Sequence, residues 1–383
     1  MKAWIVLIVL SLNFSCYAGL WLKGDFHAHS NYSDGDSSVE KVIAKVESLN
    51  LDFFTLTDHD SKMGGQMKHW SDSAYKSDKV LLLYATEWTT RFGHANIISD
   101  QPFDYAPFWL ANKKKNAQAA IDEAQSIGVI FSINHPKWFG RPWRYGVWTD
   151  NLEIWNSMYN YYNRNSWTVH NIWDKQILEG KRVTARGGSD THHLRGLEAK
   201  LFSFGNPTTW VYVDEKSTKG VMDGMKKGRT VISYAPDAPR LDLAVVWEKQ
   251  GEHLKIGDNG EQVQGEVHVN LSIFSPYEKS EELVSEAVED KIVDDLQSGQ
   301  LPIDDFLNEK KNPYSVGVFK NGKLLKVFKL RNLSGKLSFP DHVNPGERIY
   351  YRAELIGKPK VSFPKSLLYG HMISMTSPIY INY

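Results

Sequence analysis

The chain has 383 residues, 42% of them hydrophobic and 13% aromatic, enough apolar side chain for two or three packed domains and too much for global disorder. Its 45 Lys and Arg balance 45 Asp and Glu, so no net field draws in nucleic acid or an anionic membrane, and neither is expected as a partner. The single cysteine, Cys16, lies in the N-terminal leader, which excludes disulfides and every thiolate metal site or nucleophile from the rest of the chain.

In chain order, Met1-Lys2 precedes an apolar run from Ala3 to Leu12 and small or turn-prone residues up to Ala18. A charged start and an apolar core too short for a comfortable membrane span predict a signal peptide over 1–18, with export to the periplasm or the medium. From Trp21 to about Pro239, β-rich runs alternate with amphipathic ones. Strands are predicted at Phe26–His29, Phe53–Thr57, Val80–Ala85, Ala95–Ile98, Val129–Ile133, Leu152–Trp155 and Val183–Ala185. Helices are predicted at Ser38–Leu49, Ala117–Ile127 and Val169–Leu178, the first capped by Ser37 or Ser38. Repeated strand–helix units argue for an α/β class with a parallel sheet, closed or nearly closed into a barrel over 19–239.

After Arg240 the texture changes: 12 of 13 tryptophans and 9 of 13 histidines lie before it. Alternating segments at Leu241–Trp247, Val267–Phe274, Ser315–Lys320, Leu324–Leu330, Arg348–Leu355 and Ile379–Ile381 predict a smaller antiparallel β-sandwich-like domain over 240–383, with Asn321-Gly322 as a hairpin turn. This domain is expected to serve as a lid, spacer or dock. An acidic insert near 278–310 reads as a surface helix from Glu278 to Leu296, with Val284, Val288 and Ile292 on one face.

Metal-ligating residue types collect where predicted strands end. His27 and His29, two apart on a strand, point to one face and can grip one ion. The next strands run into Asp58-His59-Asp60 and Glu87, followed by His94, Asn134-His135-Pro136 and Ser189-Asp190-Thr191-His192-His193. In a parallel barrel these ends converge on one rim. Imidazole and carboxylate donors without thiolate suit zinc, manganese or iron, which acidify a water and neutralise developing charge. Gly187-Gly188-Ser189 lacks the pattern of a serine nucleophile elbow.

With these residues in order, the stretch from about 22 to 240 resembles the PHP (polymerase and histidinol phosphatase) domain of metal-dependent phosphoesterases. The matching motifs are His27-x-His29, Ser33-Asp34-Gly35, Thr57-Asp58-His59, Glu87 with Gly93-His94, Asn134-His135-Pro136 and Ser189-Asp190-x-His192. The resemblance implies a distorted (β/α)7 barrel holding two or three divalent ions. It places His27, His29, Glu87 and Asp190 on one ion, and Asp34, His59 and His192 on a second. Glu87 then bridges to a third, held by His94 and His135. His59, Glu87 and Asp190 are the implied catalytic residues. Gly205-Asn206-Pro207 through Tyr212, Met222 to Ser233 and the C-terminal Thr376 to Tyr380 resemble a narrower branch, similar to carbaryl hydrolase, which makes carboxylic ester, carbamate or amide hydrolysis the alternative to phosphoester hydrolysis. A non-catalytic envelope-binding protein is the rival from another class.

For a substrate anion the candidates are Arg91, Lys137, Arg141, Arg144, Arg186 and Arg195, with Lys137 and Arg195 first. Asp58 and Asp60 are candidate supports for the ligands. His193 is expected to face solvent, and His69 and His170 to be structural. Trp138, Trp143, Trp148, Trp155 and Trp167 are either core or an aromatic rim beside the metals.

Overall fold

The structure, a computed structural model, describes residues 19–136, 143–156, 163–247, 251–278, 283, 285–301, 303–307, 312–357 and 372–383. The leader, Lys137, Trp138 and Arg141 lie outside the described residues, as does the side chain of Trp167.

The first part runs β1 (Leu20–Asp25), α1 (Val39–Ser48), β2 (Phe53–Leu56), α2 (Asp60–Met63), β3 (Leu81–Thr90), β4 (Gly93–Ser99), α3 (Ala106–Lys114), α4 (Ala117–Ile127), β5 (Ile130–Ile133), β6 (Asn151–Asn156), α5 (Asn163–Leu178), β7 (Thr184–Gly188), α6 (Gly196–Leu201), β8 (Thr208–Val213), α7 (Thr218–Lys226) and β9 (Thr230–Ser233). Helix α1 forms where the apolar spacing predicts it, because Val39, Val42, Ile43 and Val46 all bury on one face. Each contributes roughly 1.5–3 kcal/mol of transfer free energy. Its expected cap is not made: Ser38 has no side-chain capping bond, and Ser37 Oγ donates to Asp36 instead.

Strands β1, β2 and β3 are parallel neighbours, as are β5, β6 and β7. Strand β4 runs antiparallel to both β3 and β5. The segments that follow β1 and β7 meet in a bridge between Ala28 and Thr191, fastened by Asp190 N–H to His27 O at 2.8 Å and His29 N–H to Thr191 O at 2.9 Å. The sheet is thus a mixed ring joined at its carboxyl rim rather than a series of identical strand–helix units. Strand β2 is buried along its whole length, as are β5, β6 and β7, which is why β2 and β5 read as mostly apolar runs without alternation.

Two expected strands shift. Phe26–His29 lies beyond β1, which ends at Asp25, and only Ala28 there is bridged. Strand β3 extends past Ala85 to Thr90 because the Arg91-Phe92 turn folds it back on β4 as a hairpin. Glu87 therefore lies inside a strand, opposite Asn96.

From Arg240 the chain forms β10 (Arg240–Trp247), β11 (Glu252–Lys255), β12 (Asn259–Gly260), β13 (Gly265–Phe274), β14 (Ser285–Ala287), α8 (Asp290–Ser298), α9 (Ile303–Phe306), β15 (Tyr314–Lys320), β16 (Lys323–Leu330), β17 (Gly335–Val343), β18 (Ile349–Gly357), β19 (Met372–Thr376) and β20 (Ile379–Ile381). Strands β11-β10-β13-β17 make one antiparallel sheet. Inward residues Leu241, Leu243 and Val245 share a core with Val316, Val318, Ala353 and Leu355 of the other sheet. Asn321 and Gly322 both have positive φ, 52° and 75°, the backbone a two-residue hairpin turn demands. The acidic insert departs from the expected single helix: Ser285–Ala287 pairs with β16, where ladder bonds are available, and among its described residues helix is found at Asp290–Ser298 and in the short Ile303–Phe306.

The second sheet continues into the ring. Strand β19 pairs antiparallel with β9, Val183 N–H donates to the Tyr380 hydroxyl at 2.9 Å, and Ala185 N–H donates to Ser377 Oγ at 3.0 Å. The Arg352 guanidinium grips Asp174 of α5 with two bonds of 3.1 and 2.9 Å. A sheet shared across the junction thus joins the β region to the ring by strand pairing. Among the described residues no helix is long and apolar enough to cross a membrane.

Candidate metal centre

The nine candidate ligands meet at the carboxyl rim. His27 and His29 sit in the extended segment after β1, Asp34 in the turn that follows, His59 after β2, Glu87 and His94 across the β3–β4 hairpin, His135 after β5, and Asp190 and His192 after β7. Three groups have ligand atoms all within 4.8 Å of one another: His29, Asp34, His59 and His192; His27, His29 and Asp190; and His59, Glu87 and His94.

Glu87 stands at the centre. Its Oε1 is 3.0 Å from His94 Nδ1 and 3.5 Å from both His27 Nε2 and His135 Nε2. Its Oε2 is 2.8 Å from His59 Nδ1 and 3.6 Å from His29 Nε2. Asp190 Oδ1 lies 3.1 Å from His29 Nε2 and 3.3 Å from His27 Nε2. Asp34 reaches His59 at 3.4 Å and His192 at 3.3 Å. The site has an open side: the Asp34 side chain is 40% exposed and that of His192 20%, whereas His27, His29 and Glu87 are buried.

These residues fit a cation. His27 Nε2 and Glu87 Oε2 are buried atoms without a hydrogen bond of acceptable geometry, an arrangement that is costly unless something else satisfies them. Two ligands also hold left-handed backbone, His135 at φ 30° and Asp190 at φ 51°. Such conformations cost about 1–3 kcal/mol each and persist where the surroundings over-determine them. Burial opposes ionisation of His27, but Asp190, Glu153 and Glu87 together push it well above its ordinary range. Burial likewise opposes charge on His59, yet Glu87 and Asp34 raise it to about 10. His29 is lowered to about 4 by burial and by neighbouring His192 and His59. Against the penalty of burial, His59, His94 and His27 hold Glu87 well below the usual carboxylate range. Asp34 and Asp190 are likewise held low by imidazoles.

The candidate supports act on loops. Asp58 accepts from Ser30 N–H at 2.8 Å, Ser30 Oγ at 2.6 Å and Ser33 Oγ at 2.6 Å, so it shapes the turn that carries Asp34. Asp60 accepts from Thr89 N–H, the Tyr105 hydroxyl and Asn112 Nδ2, fixing the hairpin beside His59.

Of the remaining sequence candidates, Arg186 departs from expectation. Arg186 is fully buried and bonded to Glu153, so it cannot greet a substrate anion. Arg195 is 72% exposed and donates to the Asp36 carbonyl, while Arg91 and Arg144 are exposed near the hairpin turn. His193 pairs with Glu198 at 2.7 Å. Trp143 and Trp155 are core residues and Trp148 packs against that core, so these three form no open stacking rim. His69 is buried with Nε2 2.8 Å from the Ala85 carbonyl oxygen, and His170 lies 3.5 Å from Glu354.

Sequence reasoning misses Glu153 and Asp25. Glu153 Oε1 is 2.9 Å from His27 Nδ1. Asp25 accepts from the backbone of His27, Ser189 and Gly205, tying β1 to the segment after β7. The available signal is a charged residue inside an apolar, fully buried strand, Leu152-Glu153-Ile154-Trp155, where only a paired charge is tolerated.

Gly188 marks how closely this shell is packed. A Cβ there would overlap Glu153 Oε1 and stand 2.5 Å from His27 Cβ. Gly188→Ala is expected to destabilise the fold by about 1–3 kcal/mol and to weaken metal binding, checked by thermal melts with and without manganese. An unchanged melting temperature and unchanged manganese response would show that the shell has slack.

Residues 25–131 match the PHP domain family. No curated protein sequence matches the chain. Among solved structures it is similar to a two-domain protein containing a predicted PHP-like metal-dependent phosphoesterase from Bacteroides vulgatus, at 14% identity and TM-score 0.41, over 94% of this chain and 95% of that one. It is also similar to a protein from Bifidobacterium adolescentis named as a metal-dependent phosphoesterase, at 15% identity and TM-score 0.32, over 47% and 90%. An amidohydrolase from Chromobacterium violaceum with bound sulfate and no metal is similar at 13% identity and TM-score 0.28, over 44% and 87%.

Proposed function

We propose that the chain is an exported, divalent-metal-dependent phosphoesterase acting on a small-molecule phosphoester. The observation that carries the reading is that five imidazoles stand within 3.6 Å of the buried Glu87 carboxylate, where three groups of candidate ligands overlap, and that His27 Nε2 and Glu87 Oε2 make no hydrogen bond of acceptable geometry. The PHP match supports phosphoester chemistry at such a centre, and the leader-like first 18 residues support export.

His27, His29, Glu87 and Asp190 would hold one zinc, manganese or iron ion, and Asp34, His59 and His192 a second. Glu87 would be shared with a third at His94 and His135. Bound ions would supply an acidified water and neutralise charge on the leaving oxygen. The chain's own residues set the rest. Ser189 is no nucleophile, since it is buried and its hydroxyl donates to the His27 carbonyl at 3.0 Å. Substrate approaches from the side of Asp34 and His192, where the shell is open. Arg195, three residues after His192, is the proposed contact for the substrate's anionic group, and Lys137, next to His135-Pro136 in the sequence, is the second candidate.

The test is hydrolysis of aryl phosphomonoester, phosphodiester and aryl carbamate by the purified mature protein loaded with manganese or zinc, with His59→Ala as control. Phosphate release that drops about 10³-fold in the variant, the scale of losing a main charge-stabilising group, supports the reading. Carbamate cleavage alone would move the chain to the carbaryl-hydrolase-like branch. Tight metal binding with no hydrolysis of any ester would leave the envelope-binding alternative.

A further inference from the structure

We propose that Arg186, acting through Glu153 and Asn134, is a positioning residue for the buried half of the metal centre, so that cation binding at His27, Glu87 and His135 is pre-organised and the rim position at Asp34, His59 and His192 is looser. The inference rests on the metal-binding reading above and adds an inequality between the positions.

A fully buried guanidinium costs several kcal/mol of desolvation unless its donors are matched. Arg186 matches them within the ring: Nε donates to Ser132 Oγ at 2.6 Å, Nη1 to Glu153 Oε1 at 2.9 Å, and Nη2 to Asn134 Oδ1. Each partner passes the constraint to a ligand. Glu153 Oε1 also accepts from His27 Nδ1–H at 2.9 Å, and Glu153 Oε2 accepts from His135 N–H at 3.0 Å and Asn156 Nδ2 at 3.0 Å. Asn134 Nδ2 donates to Glu87 Oε1 at 2.8 Å.

Two consequences follow for the ligands. With Nδ1–H given to a carboxylate, a neutral His27 would present its Nε2 lone pair toward Glu87 and Asp190, the form a bound cation selects, and hydrogen bonding to a carboxylate raises its basicity as a ligand. The Asn134 amide fixes which way the Glu87 carboxylate is turned. None of these bonds leads to Asp34, His59 or His192. Those rim ligands hang on the Ser30–Asp34 turn held by Asp58, on Thr89, and on the Asp190 carbonyl, which lies 2.8 Å from His192 Nδ1.

Metal-free full-length mature protein is titrated with manganese alone, following bound and free ion by electron paramagnetic resonance and counting ions by native mass spectrometry. Wild type is expected to show a tight and a weak class. Glu153→Gln keeps the shape but presents an amide, and should weaken the tight class 10–100-fold, the usual scale for an outer-shell partner, with the weak class unchanged. Asp34→Asn should do the reverse. Arg186→Lys, with its single nitrogen, should not restore what Arg186→Met loses. If Arg186→Met fails to fold, Glu153→Gln carries the test, with circular dichroism verifying its fold. A tight class unmoved in Glu153→Gln, or both classes weakened alike, overturns the proposal. Wild type with no tight class at all overturns the metal-binding reading beneath it.

Discussion

Glu87→Gln is expected to abolish hydrolysis, lowering kcat by at least about 10³-fold, and to remove bound metal rather than merely slow turnover. The substitution changes one atom and no volume, yet it strikes the group within 3.6 Å of nitrogens from His27, His29, His59, His94 and His135. An amide has one acceptor where the carboxylate has two. If its oxygen keeps the bond from Asn134 Nδ2, its NH2 faces His59 Nδ1 and His29 Nε2 and offers no lone pair. If it flips, two amide donors confront each other. Either way one side of the centre loses an anionic ligand, and the imidazoles lose the charge that draws them together. Metal content by mass spectrometry and phosphate release measured on the same sample decide the matter. Activity within tenfold of wild type with full metal content would show that Glu87 is only a neighbour of the site.

The ligands were legible because they are the exceptions in their segments. His59, Glu87 and His135 each follow an apolar run, and a residue that is expensive to bury declares a use. The backbone around them was less legible. Phe26–His29 looks like a strand because Phe and alternating small residues fit a pleat, yet pairing stops at Asp25, where the chain needs its polar groups for the site. Glu87 reads as a strand-end residue because Thr86 and Glu87 follow an apolar stretch, but the Arg91-Phe92 turn supplies a partner strand and prolongs β3. The Arg186 misreading has the same root. An arginine near ligands suggests a substrate anion, and only the three-dimensional meeting of β5, β6 and β7 shows Ser132, Glu153 and Asn134 waiting for it. The junction between the two parts was hidden for a different reason: β9 and β19 are more than a hundred residues apart, and local patterning carries no information about which edge a distant strand will join.

Arg352→Ala is expected to cost about 3–5 kcal/mol, the range for leaving a buried charge unpaired, and to lower the stability of the whole molecule rather than of the C-terminal region alone. Arg352 is nearly inaccessible. It bonds twice to Asp174 of α5 and once to Glu354 of β18, and its guanidinium lies 4.1 Å from the centre of the Phe319 ring. Tyr350 donates to the same Asp174 at 2.7 Å. Alanine removes the cation and leaves Asp174 and Glu354 facing each other in a poorly solvated junction, so the loss exceeds that of a surface pair. Because β9 and β19 share one sheet, the ring cannot keep its edge when β18 and β19 leave. Urea unfolding followed by tryptophan fluorescence, which reports mainly the first 239 residues, and by far-ultraviolet circular dichroism should give coincident transitions in wild type and variant, with the variant's midpoint lower. Two separated transitions, with the fluorescence midpoint unmoved, would mean that the parts fold independently and that the shared sheet couples them weakly.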